Sequence, residues 1–104
     1  MAVPISIIIT TYNRDRYLGG AIESVLSQTQ GDFELLIWDD GSTDNSLAIA
    51  HDYATRDQRI RVVGAKHQGR GISLKEAIAQ THGTYIGWVD SDDLLAPTAL
   101  AETA

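Results

Sequence analysis

Ile5–Asn13 reads ISIIITTYN. Ile5–Ile9 is an almost unbroken β-branched run that stops abruptly in a polar cluster. A strand with one wet face alternates apolar and polar residues, whereas a strand covered on both faces does not. The run therefore predicts a strand inside a parallel sheet, and the rest of the chain repeats the same unit. Leu18, Ala21, Ile22, Val25 and Leu26 mark a helical stripe within 16–28. Phe33–Trp38 is the second strand. Ser42 or Thr43 is able to cap a helix from about Asp44 to Thr55. Ile60–Val63 is the third strand, Lys66–Gly71 a glycine-bearing loop, and Ile72–Thr81 a third helix with Leu74, Ala77 and Ile78 on one face. Tyr85–Val89 is the fourth strand, and Pro97 stands where a further helix would begin. Strand–helix repetition predicts one α/β domain over 1–104: a three-layer α/β/α, Rossmann-like arrangement around a mostly parallel open sheet.

Composition removes several classes of function. The formal net charge is -6, so the basic stripe that a phosphate backbone requires is missing and nucleic acid is not the expected partner. Cysteine is absent, which excludes disulfides and thiolate metal sites. The amino terminus has no basic flank and no small-residue cleavage site, so its apolar run reads as a strand and not as a signal peptide. No apolar run approaches the ~20 residues of a membrane span.

In open parallel sheets, ligands bind outside the carboxyl ends of the strands. Here those ends carry Thr10-Thr11-Tyr12-Asn13, Asp39-Asp40, Ala65-Lys66-His67 and Asp90-Ser91-Asp92-Asp93. Carboxylates packed this closely resist ionising together. A divalent cation removes that penalty, and hard oxygen ligands suit Mg²⁺ or Mn²⁺. The plainer alternative makes Asp92 or Asp93 a helix cap and the other carboxylates solvated loop charges. Asp39-Asp40-Gly41 reads either as a turn or as a hydrogen-bonding site for a base or ribose. Tyr12 is suited to partial burial or to stacking on a flat base. His67 and Arg70 read as solvated loop residues, with Arg70 or Lys66 in reach of any diphosphate bound nearby. His51 and His82 read as structural. No spacing suggests zinc, a nucleophile elbow, or either glycine-rich phosphate motif.

Taken together, ISIIITTYNRDRYLGGAIESVLSQTQGDFELLIWDDGSTDNS and GTYIGWVDSDDLLAP resemble the amino-terminal half of a family-two glycosyltransferase of the GT-A fold. The resemblance runs from Ile5 to about Leu100. It implies that Thr10, Tyr12 and Asp40 hold the nucleotide of a nucleoside diphosphate sugar, with a uridine diphosphate sugar the favoured donor. It implies further that Asp90-Ser91-Asp92 is the family's Asp-x-Asp motif. Asp92 would then ligate Mn²⁺ or Mg²⁺, while Asp90 serves the ribose or the metal. Arg70 is a further donor-binding candidate. The implied reaction transfers the sugar with inversion to an acceptor hydroxyl on a glycan or lipid-linked acceptor. The general base and acceptor site are expected downstream of Ala104, so this chain is expected to be a truncated donor-binding half that binds without transferring. Such a half would expose an apolar face able to self-associate. The expected location is the cytoplasm or the cytoplasmic face of a membrane. Two departures from the family pattern stand out: threonine in place of the proline before TYN, and a weak match over HQGRGISLKEAIAQTHG. A phospho-receiver domain is disfavoured, because the third strand ends in Ala-Lys-His and offers no phospho-accepting aspartate. A non-catalytic nucleotide-binding or protein-interaction module on the same fold remains the alternative.

Overall fold

The computed structural model describes residues 5–27, 33–81 and 85–90. They form β1 (Ile5–Thr11), α1 (Asp15–Leu26), β2 (Phe33–Asp39), α2 (Ser46–Arg56), β3 (Ile60–Gly64), α3 (Arg70–Ala79) and β4 (Tyr85–Asp90). The strands build one parallel sheet in the order β3-β2-β1-β4. The alternation expected from the sequence is present. The helix expected at Pro97 and the acidic residues Asp92 and Asp93 lie outside the described residues.

The strand order explains the layers. From β1 the chain steps outward through β2 to β3, then returns over the sheet to place β4 on the far side of β1. Right-handed crossovers in opposite directions put their helices on opposite faces. Accordingly, Ile5, Ile7 and Ile9 of β1 join Phe33, Leu35 and Ile37 of β2 beneath Leu18, Ala21, Ile22 and Val25 of α1 and Ala50 of α2. Ile8, Leu36 and Trp38 face the other way, onto Ala77 with Leu74 of α3 beside it. β1 therefore has no wet face, which is why its apolar run does not alternate. Each isoleucine or leucine buried this way contributes about 1.5–3 kcal/mol relative to an exposed one. The order 3-2-1-4 also differs from the 2-1-3-4-5 order of receiver-type sheets.

Three local expectations need correction. α2 starts at Ser46, not near Asp44, and neither Ser42 nor Thr43 caps it. The Asp44 carboxylate instead accepts the Ser46 N–H at 2.9 Å. α3 starts at Arg70, inside the segment expected to be loop. Its buried stripe is also narrower than expected: Ser73 and Ala77 are buried, but Ile78 is 41% exposed. Two small residues one turn apart let the helix approach the sheet along that line, and Ile78 turns away from it. Ile72 on α3 and Ile86 and Trp88 on β4 are also exposed. Among the described residues, no helix is long and apolar enough to cross a membrane.

Leu36 is fully buried in the middle of β2, between β1 and β3. Leu36→Ala is expected to cost about 2–5 kcal/mol by lost transfer energy and cavity formation. Urea unfolding of the variant measures it, and a loss well under 1 kcal/mol would contradict this packing.

Candidate functional site

Because every strand runs the same way, their carboxyl ends share one edge of the sheet. The order reverses between β1 and β4, so the crevice of the fold opens there. Thr10 and Asp90 are register partners across it. The Thr10 hydroxyl is largely buried and accepts a 3.1 Å hydrogen bond from Trp88 Nε1. Its own proton is left to donate. Asp90 ends β4, and Arg70 is the first residue of α3. Asp92, the expected metal ligand, lies outside the described residues.

The loops after β1 and β2 are stapled together. The Asn13 N–H donates to Ser42 Oγ at 2.9 Å, and the Thr43 N–H donates to Asn13 Oδ1 at 2.8 Å. The Arg14 N–H donates to Ser46 Oγ at 3.1 Å, and the Asp15 N–H donates to Asp44 Oδ2 at 3.1 Å. Asn13 takes a left-handed conformation, φ 51°, which asparagine tolerates better than most residues. Much of the polar signature in TTYN and DDGSTDN therefore builds a rigid rim. The sequence reading had not separated this scaffolding from ligand contacts.

The two aspartates divide in role. Asp39 Oδ2 accepts the Ser42 N–H at 2.9 Å within its own turn, and Asp39 Oδ1 is buried without a hydrogen-bond partner among the described residues. Asp40 reaches across to the loop after β3. Its Oδ1 accepts the Gln68 N–H at 2.8 Å and its Oδ2 the Gly69 N–H at 3.0 Å. His67 Nδ1 lies 3.0 Å from Oδ2 and 3.1 Å from the Asp40 carbonyl. Both neighbours are acceptors, so Nδ1 carries a proton. Burial pushes the Asp40 carboxyl up. The Gln68 and Gly69 N–H groups and the His67 imidazole outweigh it and hold the pKa below 3.8.

His67 was expected to be a solvated loop residue; its side chain is indeed 55% exposed, but it also makes contacts that the sequence did not suggest. Its ring stacks on Tyr12, with centroids 4.2 Å apart and planes 27° from parallel. Tyr12 keeps 39% of its surface exposed. Gly41 fits against the same loop: at φ 78°, a Cβ there would stand 2.6 Å from the His67 backbone nitrogen. Gly69, at φ 96°, turns its N–H toward Asp40 just before α3. Thr10, Tyr12 and Asp40 thus share the carboxyl edge of the sheet, and His67 touches both Tyr12 and Asp40. The sequence signal for His67 was its position at the end of a strand.

Among the described residues, no group of three His, Cys, Asp or Glu side chains is placed to hold a metal ion. Asp39 and Asp40 already accept backbone N–H groups. The carboxyl end of β4, where Asp90 is the register partner of Thr10, lies on the same edge.

Residues 6–104 match the family model described as glycosyl transferase family 2. The chain is 41% identical over 96 residues to a chondroitin synthase from Escherichia coli, a match covering 92% of this chain and 14% of that protein. Its fold superposes on TarS 1–349 from S. aureus in complex with UDP-GlcNAc, with TM-score 0.87 and 30% identity over 95% of this chain and 29% of that one. It also superposes on glucosyl-3-phosphoglycerate synthase from Mycobacterium tuberculosis, solved with Mn²⁺, UDP and glucosyl-3-phosphoglycerate. There the TM-score is 0.78 and the identity 25%, over 95% of this chain and 37% of that one. The four-stranded parallel sheet is that of the GT-A fold, and the chain spans well under half the length of each of these proteins.

Two outcomes follow from the grip of Asp40. Its folded-state pKa is below the 3.8 of an ordinary carboxyl, so its contribution to stability is present above that pH and is lost as pH falls through the lower, folded value. Asp40→Asn leaves a backbone N–H facing an amide NH₂ and is expected to cost about 1–3 kcal/mol at neutral pH. The gap from the wild type should narrow as urea unfolding is repeated at progressively more acid pH; a gap that does not narrow would remove the charged form of Asp40 from the account. Gly41→Ala, strained at φ 78° and crowded by His67, is expected to lower the melting temperature measurably, and an unchanged melting curve would contradict the close contact.

Proposed function

The chain belongs to glycosyl transferase family 2, and on that premise we propose that it binds a nucleoside diphosphate sugar at the carboxyl edge of its sheet, as the donor site of a sugar-transfer reaction. The observation that carries this reading is the half-exposed Tyr12 ring beside the crevice between β1 and β4. Base–aromatic stacking is worth about 1–3 kcal/mol per base. Thr10 has a hydroxyl proton to give to the ligand. Asp40 Oδ1 accepts one N–H and keeps acceptor capacity for a base N–H or a ribose hydroxyl. Asp40 also acts at one remove, by fixing the loop that carries His67. Arg70, where α3 begins, is proposed to meet the diphosphate.

Asp90 and Asp92 are the proposed holders of Mn²⁺ or Mg²⁺. The relatives solved with UDP-GlcNAc, or with Mn²⁺ and UDP, support a uridine nucleotide and a divalent ion here. A bound cation would offset the charge that builds on the departing diphosphate. The residues of this chain then orient the nucleotide, so that the sugar is presented to an acceptor in a fixed pose. Inversion at the sugar and a glycan or lipid-linked acceptor complete the proposal. They require a general base, for which Asp39 and Asp40 are poorly placed because both are buried and bonded to backbone.

Calorimetric titration of UDP with and without Mn²⁺ tests the reading. Mn²⁺ is expected to tighten UDP binding, and Asp92→Asn is expected to abolish that gain; equal behaviour of variant and wild type would remove Asp92 from the metal site. Tyr12→Ala is expected to weaken UDP binding by about 1–3 kcal/mol. An unchanged affinity would move the base elsewhere.

A further inference from the structure

The contact between Tyr12 and His67 decides which face of the tyrosine a base can use. Stacked aromatic rings sit ~4.5–7 Å apart between centroids, and the two rings here are 4.2 Å apart. A base inserted between them would need that spacing roughly doubled. The His67 side chain is 55% exposed, and its contacts are what hold it. Its Nδ1 is bonded to Asp40, the N–H groups of the next two residues are held by the same carboxylate, and its backbone nitrogen lies against Gly41. The Tyr12 face turned to His67 is covered, while the residue as a whole remains 39% exposed.

We propose that His67 is a positioning residue that backs the Tyr12 ring and commits the nucleotide's base to the opposite face, giving a continuous base–Tyr12–His67 stack. This rests on the donor-site reading above and adds a residue to it. The imidazole touches no substrate atom. It fixes the tyrosine in the pose that receives the base, so the ring does not have to be ordered on binding.

Two substitutions separate the ring from its hydrogen bond. His67→Phe keeps a stacking ring and loses the bond to Asp40, whereas His67→Asn keeps a donor and loses the ring. UDP is titrated in the presence of Mn²⁺ against the wild type, both variants, His67→Ala and Tyr12→Ala, with inorganic pyrophosphate as a ligand that has no base. His67→Asn and His67→Ala are expected to weaken UDP about three- to tenfold, and His67→Phe to stay within about twofold of wild type. Pyrophosphate binding should be alike in all, which a general loss of structure would not allow. Tighter UDP binding by His67→Ala would make the imidazole a plug in the base site and overturn the proposal. So would unchanged binding by His67→Ala, or a His67→Phe as weak as His67→Ala. If Tyr12→Ala also binds UDP like the wild type, the donor-site reading itself fails. If Tyr12→Ala weakens binding and the His67 variants do not, that reading stands and only the role of His67 falls.

Discussion

The carboxylate of Asp40 accepts the backbone N–H groups of Gln68 and Gly69 and lies against the imidazole of His67, and the shape of the crevice follows from that grip. Two N–H groups ahead of α3 have no helical partner of their own. A carboxylate meets them better than water does, because a charged acceptor makes the stronger bond and burial raises the penalty for leaving them unmet. The loop after β3 is thereby pinned to the end of β2. His67 is carried into contact with Tyr12 at the end of β1, so three strand ends are linked through one side chain. Glycine is required where this happens. At Gly41 a methyl group would collide with the His67 backbone, so the turn after Asp40 and the loop after β3 can approach only because that Cβ is missing.

The other polar residues of the edge serve a second linkage. Asn13, Ser42, Thr43, Asp44 and Ser46 exchange hydrogen bonds between the loop after β1 and the loop after β2. Asp44 alone serves the first residue of α1 and the first residue of α2, so one carboxylate sits at the positive ends of two helices. A rim organised in this way changes little when a ligand arrives, and a preorganised site loses less entropy on binding. Residues that look like ligand contacts in a motif can thus be the frame that holds the contacts.

Beneath the rim, the sheet supplies the direction. All strands are parallel, so every strand end with polar residues falls on the same side. The reversal of order next to β1 leaves a gap between helices that pack on opposite faces. β1 is central to both facts. It is paired on either side and covered above and below, and it delivers Thr10 and Tyr12 to the mouth of the gap.

The sequence by itself determined the layering, because burial on two faces demands unbroken apolar strands, and helices between them demand a period near 3.6. ISIII, FELLIW and YIGWV could hardly be anything but strands, and strand–helix repetition leaves few topologies. It also determined which edge is polar, and its motifs carried the family. Partner choice was beyond it. Which N–H groups Asp40 accepts, and that His67 lies on Tyr12, depend on how loops 27 or more residues apart in the chain meet. The start of α3 was hidden for the same reason: Gly69 and Arg70 read as loop until the Asp40 carboxylate, from another strand, takes up the Gly69 N–H ahead of the helix. The burial of Ser73 rather than Ile78 was a matter of where a helix lies on a sheet, and periodicity gives the stripe without its exact azimuth. Local sequence encodes the elements through covalent geometry and hydrophobic period. Contacts between loops are set only once the sheet has brought them to one edge, because only then do the unsatisfied backbone groups of one strand end find the side chains of another.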